Sequence, residues 1–298
     1  MIEAAASKSC GGEVVARPRT AGVLTWLNLV CLDAPLVAVS WCWLFAQSFS
    51  VPVTAGAGAA LFLTAWLIYL ADRLSDSLSL DRDGETSLRQ RFCLQHRRAW
   101  IAAGLLLAIL DLVVIATLDS RAFFAGAAVG AVAGTYLLIN HTAQLVWRAV
   151  PLKEVTIGFV FAAGTMVPLT NRLTSGLLIA WLLFGCLCSL NCIFIAVWER
   201  ELDMAQRRVS VATAFPALSR SLWPMLIVLG GASLAAAFIT TRGATVDGGV
   251  ALSAVLLGAV HKMGHQVQPD VRTALADLAL LAPAVLLLLV GTELFAFG

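Results

Sequence analysis

Apolar residues in this chain fall into long runs separated by short polar connections. The runs lie at about 22–48, 53–71, 99–118, 122–140, 154–170, 175–197, 221–241, 246–261 and 273–296. About 20 apolar residues at 1.5 Å per residue cross roughly 30 Å of hydrocarbon, and a helix satisfies all its backbone polar groups internally. The pattern therefore predicts an all-α integral membrane protein of nine transmembrane helices.

Composition strengthens this reading. Of 298 residues, 60% are hydrophobic and 13% charged, and the mean hydropathy is +0.88, which excludes an ordinary soluble domain. Residues 22–298 read as one membrane domain with no room for a second. Residues 1–21 carry Glu3, Lys8, Glu13, Arg17 and Arg19 and no apolar h-region, so they are expected to be a disordered tail and not a cleaved signal. Cys186, Cys188 and Cys192 sit close together on one apolar run and read as small hydrophobes, and no Cys-x-x-Cys pair in a polar loop suggests a disulfide framework or zinc site. The expected surroundings are membrane lipid, with no nucleic-acid partner.

Charge orients the bundle. With the nine runs alternating, one side collects seventeen of the twenty Lys and Arg residues, and the other holds only Arg121, Arg172 and Arg242. By the positive-inside rule the N-terminus is expected to be cytoplasmic and the C-terminus on the opposite side. The two longest connections, 72–98 and 198–220, fall on the cytoplasmic side and hold most of the acidic residues as well. Gly126, Gly130 and Gly134 form a small-residue ladder in the fourth run, which reads as a helix-packing face.

Two acidic motifs stand out. The second run ends Ala71-Asp72-Arg73-Leu74-Ser75-Asp76 and the sixth ends Trp198-Glu199-Arg200-Glu201-Leu202-Asp203. In each, two carboxylates lie four residues apart, which stacks them one turn above the other on a helix face. Motifs four helices apart suit an internally repeated bundle whose halves face a common cavity. Each pair could hold a divalent cation. Hard Mg²⁺ takes one or two carboxylates, waters and phosphate oxygens, which makes a diphosphate the natural third party. Arg73, Arg89, Arg91, Lys153, Arg200, Arg207 and Arg208 surround the same surface and could stabilise charge on a departing phosphate. A solvated helix flank is the bland alternative for either motif alone.

With these residues the chain resembles the UbiA superfamily of intramembrane prenyltransferases, whose members have nine helices and two Asp-rich motifs after the second and sixth. The resemblance covers nearly the whole chain. Asp72, Asp76 and Asp81 stand for the acids of the first family motif, with Ala71 in place of its Asn and Asp76 one residue later than the family spacing. Glu85-Thr86-Ser87-Leu88-Arg89 stands for the Arg-Thr-x-x-Arg that follows, and Glu199 to Asp203 keeps the second motif's spacing with Glu in its first place. Pro151-Leu152-Lys153-Glu154 looks like the family's Lys-bearing stretch, and Asn28 like a family polar position. The resemblance implies a UbiA-like bundle with a central cavity opening to the cytoplasmic side. It also implies Mg²⁺ on Asp72, Asp76, Glu199 and Asp203, and a diphosphate held by Asn28, Arg89, Lys153 and Arg200. The activity it implies is Mg²⁺-dependent transfer of an isoprenyl group from an allylic diphosphate to a lipophilic, even aromatic, acceptor.

Other readings stay open. A terpene cyclase would use the same ionising machinery, and a transporter or lipid-binding protein would use the motifs without bond cleavage. A CDP-alcohol transferase ranks below these, because Asp81-Arg82-Asp83-Gly84 lacks the required spacing. Asp33 and Asp111, acids within apolar runs, are either structural or functional. His261 and His265 read as a solvated loop, His96 as membrane-surface flank, and His141 as a cap or a cavity residue.

Overall fold

The computed structural model describes residues 22–78, 80, 85–143, 146–149, 152–240 and 242–296. The N-terminal tail 1–21, Asp81 and Pro151 lie outside these, and of His265 only the backbone is described. The described residues form α1 (Val23–Leu29), α2 (Asp33–Phe49), α3 (Ala55–Leu78), α4 (Leu88–Gln95), α5 (Arg97–Ile115), α6 (Ser120–Thr142) and α7 (Val146–Ala149). They continue with α8 (Lys153–Met166), α9 (Ser175–Trp198), α10 (Arg200–Ala205), α11 (Val211–Ala214), α12 (Leu222–Ile239), α13 (Ala244–Met263) and α14 (Pro269–Ala296).

The sequence count of nine spans meets two departures. Among the described residues, seven helices (α3, α5, α6, α9, α12, α13 and α14) are long and apolar enough to cross a membrane, and the bent pair α1–α2 raises this to eight. The first run is not one straight helix: α1 and α2 meet at 96°. Cys31 takes a left-handed conformation (φ 57°) and closes α1, with the Leu32 N–H reaching the Leu27 carbonyl (2.9 Å) and the Cys31 N–H that of Asn28 (3.2 Å). The fifth run gives only 14 residues of α8. Pro168, which has no N–H, sits where the chain tightens into a 3₁₀ segment, Val167–Arg172.

Packing concentrates where α2, α9, α13 and α14 meet. Trp41 on α2 stacks on Phe184 of α9 (centroids 4.2 Å apart) and its indole N–H donates to the Leu280 carbonyl of α14 at 2.8 Å. Phe45, Leu177, Leu187, Val246, Val250 and Leu257 complete this fully buried centre. α8 crosses α9 at Gly158, where a Cβ would lie 2.4 Å from the Ser189 nitrogen. Only glycine permits that approach. Leu105, Ile109 and Leu112 of α5, Phe124 of α6 and Ile227, Val228 and Phe238 of α12 point outward and exposed, which suits lipid and not water. The protein is thus an all-helical, multi-pass integral membrane bundle.

Candidate active site

The helix that carries the first motif runs further than its apolar pattern. α3 continues through Leu78, so Asp72 and Asp76 both lie on its last turns, one above the other. In the second motif α9 ends at Trp198 and the chain bends at Glu199 before α10. The Asp203 N–H still bonds the Glu199 carbonyl at 2.8 Å, so the two carboxylates keep their one-turn separation.

The two motifs face one another, and basic side chains tie them together. Arg89, at the start of α4, forms an ion pair with Glu199 of the opposite motif. Arg208 Nη1 donates to Asp76 Oδ2 at 2.6 Å, while its Nη2 donates to the Asp76 carbonyl at 2.7 Å. Arg208 gets there through the turn after α10. Arg207 is left-handed (φ 55°), its N–H bonds the Met204 carbonyl (3.1 Å), and the Arg208 N–H bonds that of Asp203 (2.8 Å). Gln206 completes the clasp, donating from Nε2 to the Glu85 carbonyl (2.8 Å) and to Gln90 Oε1 (2.9 Å).

Lys153, the first residue of α8, lies within electrostatic range of both Asp72 and Asp203, as does Arg208. Burial pushes the Asp203 carboxyl up to about 6. The neighbouring Glu199 charge adds to this, while the Ser210 hydroxyl, Lys153 and Arg208 oppose it. The carboxylates thus divide into two held by arginine, Asp76 and Glu199, and two, Asp72 and Asp203, that make no direct arginine bond among the described residues. Among the described residues no group of three or more His, Cys, Asp or Glu side chains is placed to hold a metal ion. The oxygen donors at hand are paired carboxylates, and Mg²⁺ commonly takes one or two carboxylates and completes its shell with water and phosphate oxygens.

Asp72 also stands on the wall of an apolar cavity of about 390 Å³ lined chiefly by α3, α6 and α8. The lining runs along α3 from Ala57 to Asp72, a depth of about 20 Å at 1.5 Å per residue, and includes Leu61, Ile68, Tyr136, Ile157 and Phe161. Gly126 and Gly130 line it too, and a Cβ on Gly130 or Gly134 would meet nothing within 4 Å. The glycine ladder is therefore not a tight helix-packing face. At Gly126 and Gly130 it widens a cavity.

The remaining sequence candidates separate. Arg200 keeps its Nε buried with no hydrogen-bond partner among the described residues. Asn28 donates from Nδ2 to Asp33 at 2.6 Å. Asp111 accepts from Thr64 at 2.8 Å and pins α5 to α3. His261 is not in a solvated loop: it lies in the last turn of α13, stacked on Trp198, whose indole N–H donates to its Nδ1 at 3.0 Å. His141 bonds Ser75 through Nδ1 (3.0 Å), joining α6 to the end of α3, and the exposed His96 bonds the Phe92 carbonyl. Sequence reasoning passed over Asp277, an acid inside the last apolar run, although ionisable residues at membrane depth are a recognised signal.

No protein-family model matches this chain, and no curated protein does. Solved structures do. A UbiA homologue from Archaeoglobus fulgidus, bound to GPP and Mg²⁺, superposes with a TM-score of 0.61 at 13% identity, covering 88% of this chain and 98% of that one. The same homologue bound to DMAPP and Mg²⁺ gives 0.59 at 12% identity, with the same coverage. The apo structure of a UbiA homologue from Aeropyrum pernix K1 gives 0.57 at 14%, covering 85% and 97%. This chain has the UbiA fold.

Proposed function

We propose that the protein is an intramembrane prenyltransferase, which ionises an allylic isoprenyl diphosphate with the help of Mg²⁺ and passes the isoprenyl group to a lipophilic acceptor. The observation that carries this reading is the joining of two acidic motifs through Lys153 and Arg208, with Asp72 on the rim of a long apolar cavity. The prenyl tail lies in the cavity, and the diphosphate sits among Lys153, Arg89, Arg200 and Arg208. Asp72 and Asp203, with Asp76 and Glu199 around them, would hold the metal. When bound, Mg²⁺ neutralises charge on the departing diphosphate. Lys153 and the arginines orient the diphosphate and stabilise the same charge, and the apolar wall keeps bulk water from the reacting carbon. Crossing ion pairs let Asp76 and Glu199 aim Arg208 and Arg89 at the centre. The excess of Lys and Arg on this side supports a cytoplasmic N-terminus and a cytoplasmic mouth.

The relatives of this fold that were solved with GPP or DMAPP and Mg²⁺ support the donor class. The test is diphosphate release from an allylic diphosphate series by purified protein, with and without Mg²⁺ and a lipid extract. Mg²⁺-dependent release that rises with the extract is expected. Release indifferent to the extract, with cyclic products, identifies a cyclase, and no release in any condition overturns the enzymatic reading.

A further inference from the structure

One buried polar cluster takes no part in the function proposed above. Below the motifs, between α2, α3, α8, α9 and α14, lies a second pocket of about 20 Å³, room for one water molecule. Asn191 and Asp277 line it. Asn191 Nδ2 donates to Asp277 Oδ1 at 3.1 Å, but its Oδ1 is buried with no hydrogen-bond partner among the described residues, in a residue only 6% exposed. Burying an acceptor without a partner is costly, so it points to a donor that belongs there. The carboxyl of Asp277 lies beside that of Asp33, which accepts from Asn28 at 2.6 Å and from the Ala34 N–H at 2.9 Å.

This pocket adjoins the large cavity. Tyr69, Ile157 and Phe161 line both, and Tyr69 lies one turn before Asp72 on α3. Cys192, on the same wall, is within electrostatic range of both Asp277 and Asp72. A group in the pocket therefore sits beside the ionising end of a bound donor. Two acceptor atoms, Asn191 Oδ1 and an Asp277 carboxyl oxygen, match the two hydrogens of water.

We propose that this pocket seats a water molecule as a nucleophile, with the Asp277–Asp33 pair as its base, giving the protein a second activity: hydrolysis of allylic diphosphates to prenyl alcohols. The inference rests on the ionising role proposed above. The allylic C–O bond breaks and its electron pair leaves with the diphosphate. The water oxygen forms the new C–O bond, and the proton it loses passes to a carboxyl oxygen of the Asp277–Asp33 pair. Asn191 orients the water by accepting its other hydrogen.

The test uses the full-length protein in detergent with geranyl diphosphate, Mg²⁺ and ¹⁸O-water, without added acceptor. The expected product is a single alcohol isomer carrying ¹⁸O on carbon, with unlabelled diphosphate. Asp277→Asn and the near-isosteric Asn191→Leu are each expected to lower the ratio of alcohol to the diene formed by proton loss, by about 10²-fold and about tenfold respectively. That ratio is insensitive to the fraction of protein folded. Label in the diphosphate, or a wild-type ratio in both variants, overturns the proposal. If the wild type releases no diphosphate, the ionising role has failed instead, and the pocket is then judged by an experimental density map. A water bonded to Asn191 Oδ1 and Asp277 supports the site, and a dry pocket overturns it.

Discussion

Arg208 grips Asp76 at two points, the carboxylate at 2.6 Å and the backbone carbonyl at 2.7 Å. One side chain from the connection after α9 thereby fixes the end of α3. A guanidinium fork can span both acceptors, whereas a lysine ammonium is a point donor on a flexible stem. Arg208→Lys is expected to lower kcat/KM about 10–100-fold, and Arg208→Ala about 10²–10³-fold, the scale of losing one preorganised charge partner. In a double-mutant cycle, Asp76→Ala and Arg208→Ala should be strongly non-additive. Additive losses would show that the two residues act independently.

Asp203 gives a pH dependence with a definite sign. Its carboxyl is raised from 3.8 to about 6, chiefly by burial. Between those values Asp203 holds more proton in the folded protein than in the unfolded chain, so its contribution to the stability of the metal-free protein falls as pH rises from about 4 to about 6. Asp203→Asn should flatten this slope in thermal unfolding followed across pH. Protons also compete with the metal for this carboxylate. The Mg²⁺ concentration for half-maximal diphosphate release should therefore climb as pH drops through about 6. A half-maximal concentration constant from pH 7.5 to 5.5 would remove Asp203 from the metal's ligands.

Two glycines make opposite stability predictions. A methyl on Gly158 meets the Ser189 backbone at 2.4 Å, which no rotamer change relieves, whereas one on Gly130 meets nothing within 4 Å. Gly158→Ala is expected to cost about 1–3 kcal/mol and to lower the melting temperature in detergent. Gly130→Ala, which gains helix propensity, should match or exceed the wild type. Equal effects at the two positions would contradict the α8–α9 crossing described above.

Gly130→Leu fills part of the cavity instead of the helix interface. It is expected to shift preference toward shorter donors when dimethylallyl, geranyl, farnesyl and geranylgeranyl diphosphates compete, with little change for the shortest. An unchanged preference would place the prenyl tail elsewhere.

The spans and the paired motifs could be read from the sequence because long apolar runs and carboxylates four residues apart are local patterns. The same patterns concealed the break after α1. Cys31, Ser50 and Arg207 each take the left-handed position that ends a helix, where glycine or asparagine is the usual signal, and none of the three announces it. Arg89 and Glu199 were both visible as candidates, but their pairing across 110 positions was not, since it depends on how two connections fold over each other. Likewise Gly126 and Gly130 share the spacing of a packing ladder, and only the positions of α3 and α8 show that they border open space. Asp33 was noticed as a buried acid, while Asp277 and Asn191 gained meaning only when α2, α9 and α14 came together.

The most direct measurement is Mg²⁺-dependent diphosphate release from geranyl diphosphate by the purified protein beside its Asp203→Ala variant, with both checked for monodispersity. Release by the wild type that requires Mg²⁺ and falls at least about 10²-fold in the variant is the expected result. Undiminished release from Asp203→Ala, or none from the wild type with any allylic diphosphate, would contradict an ionising centre built on the two acidic motifs.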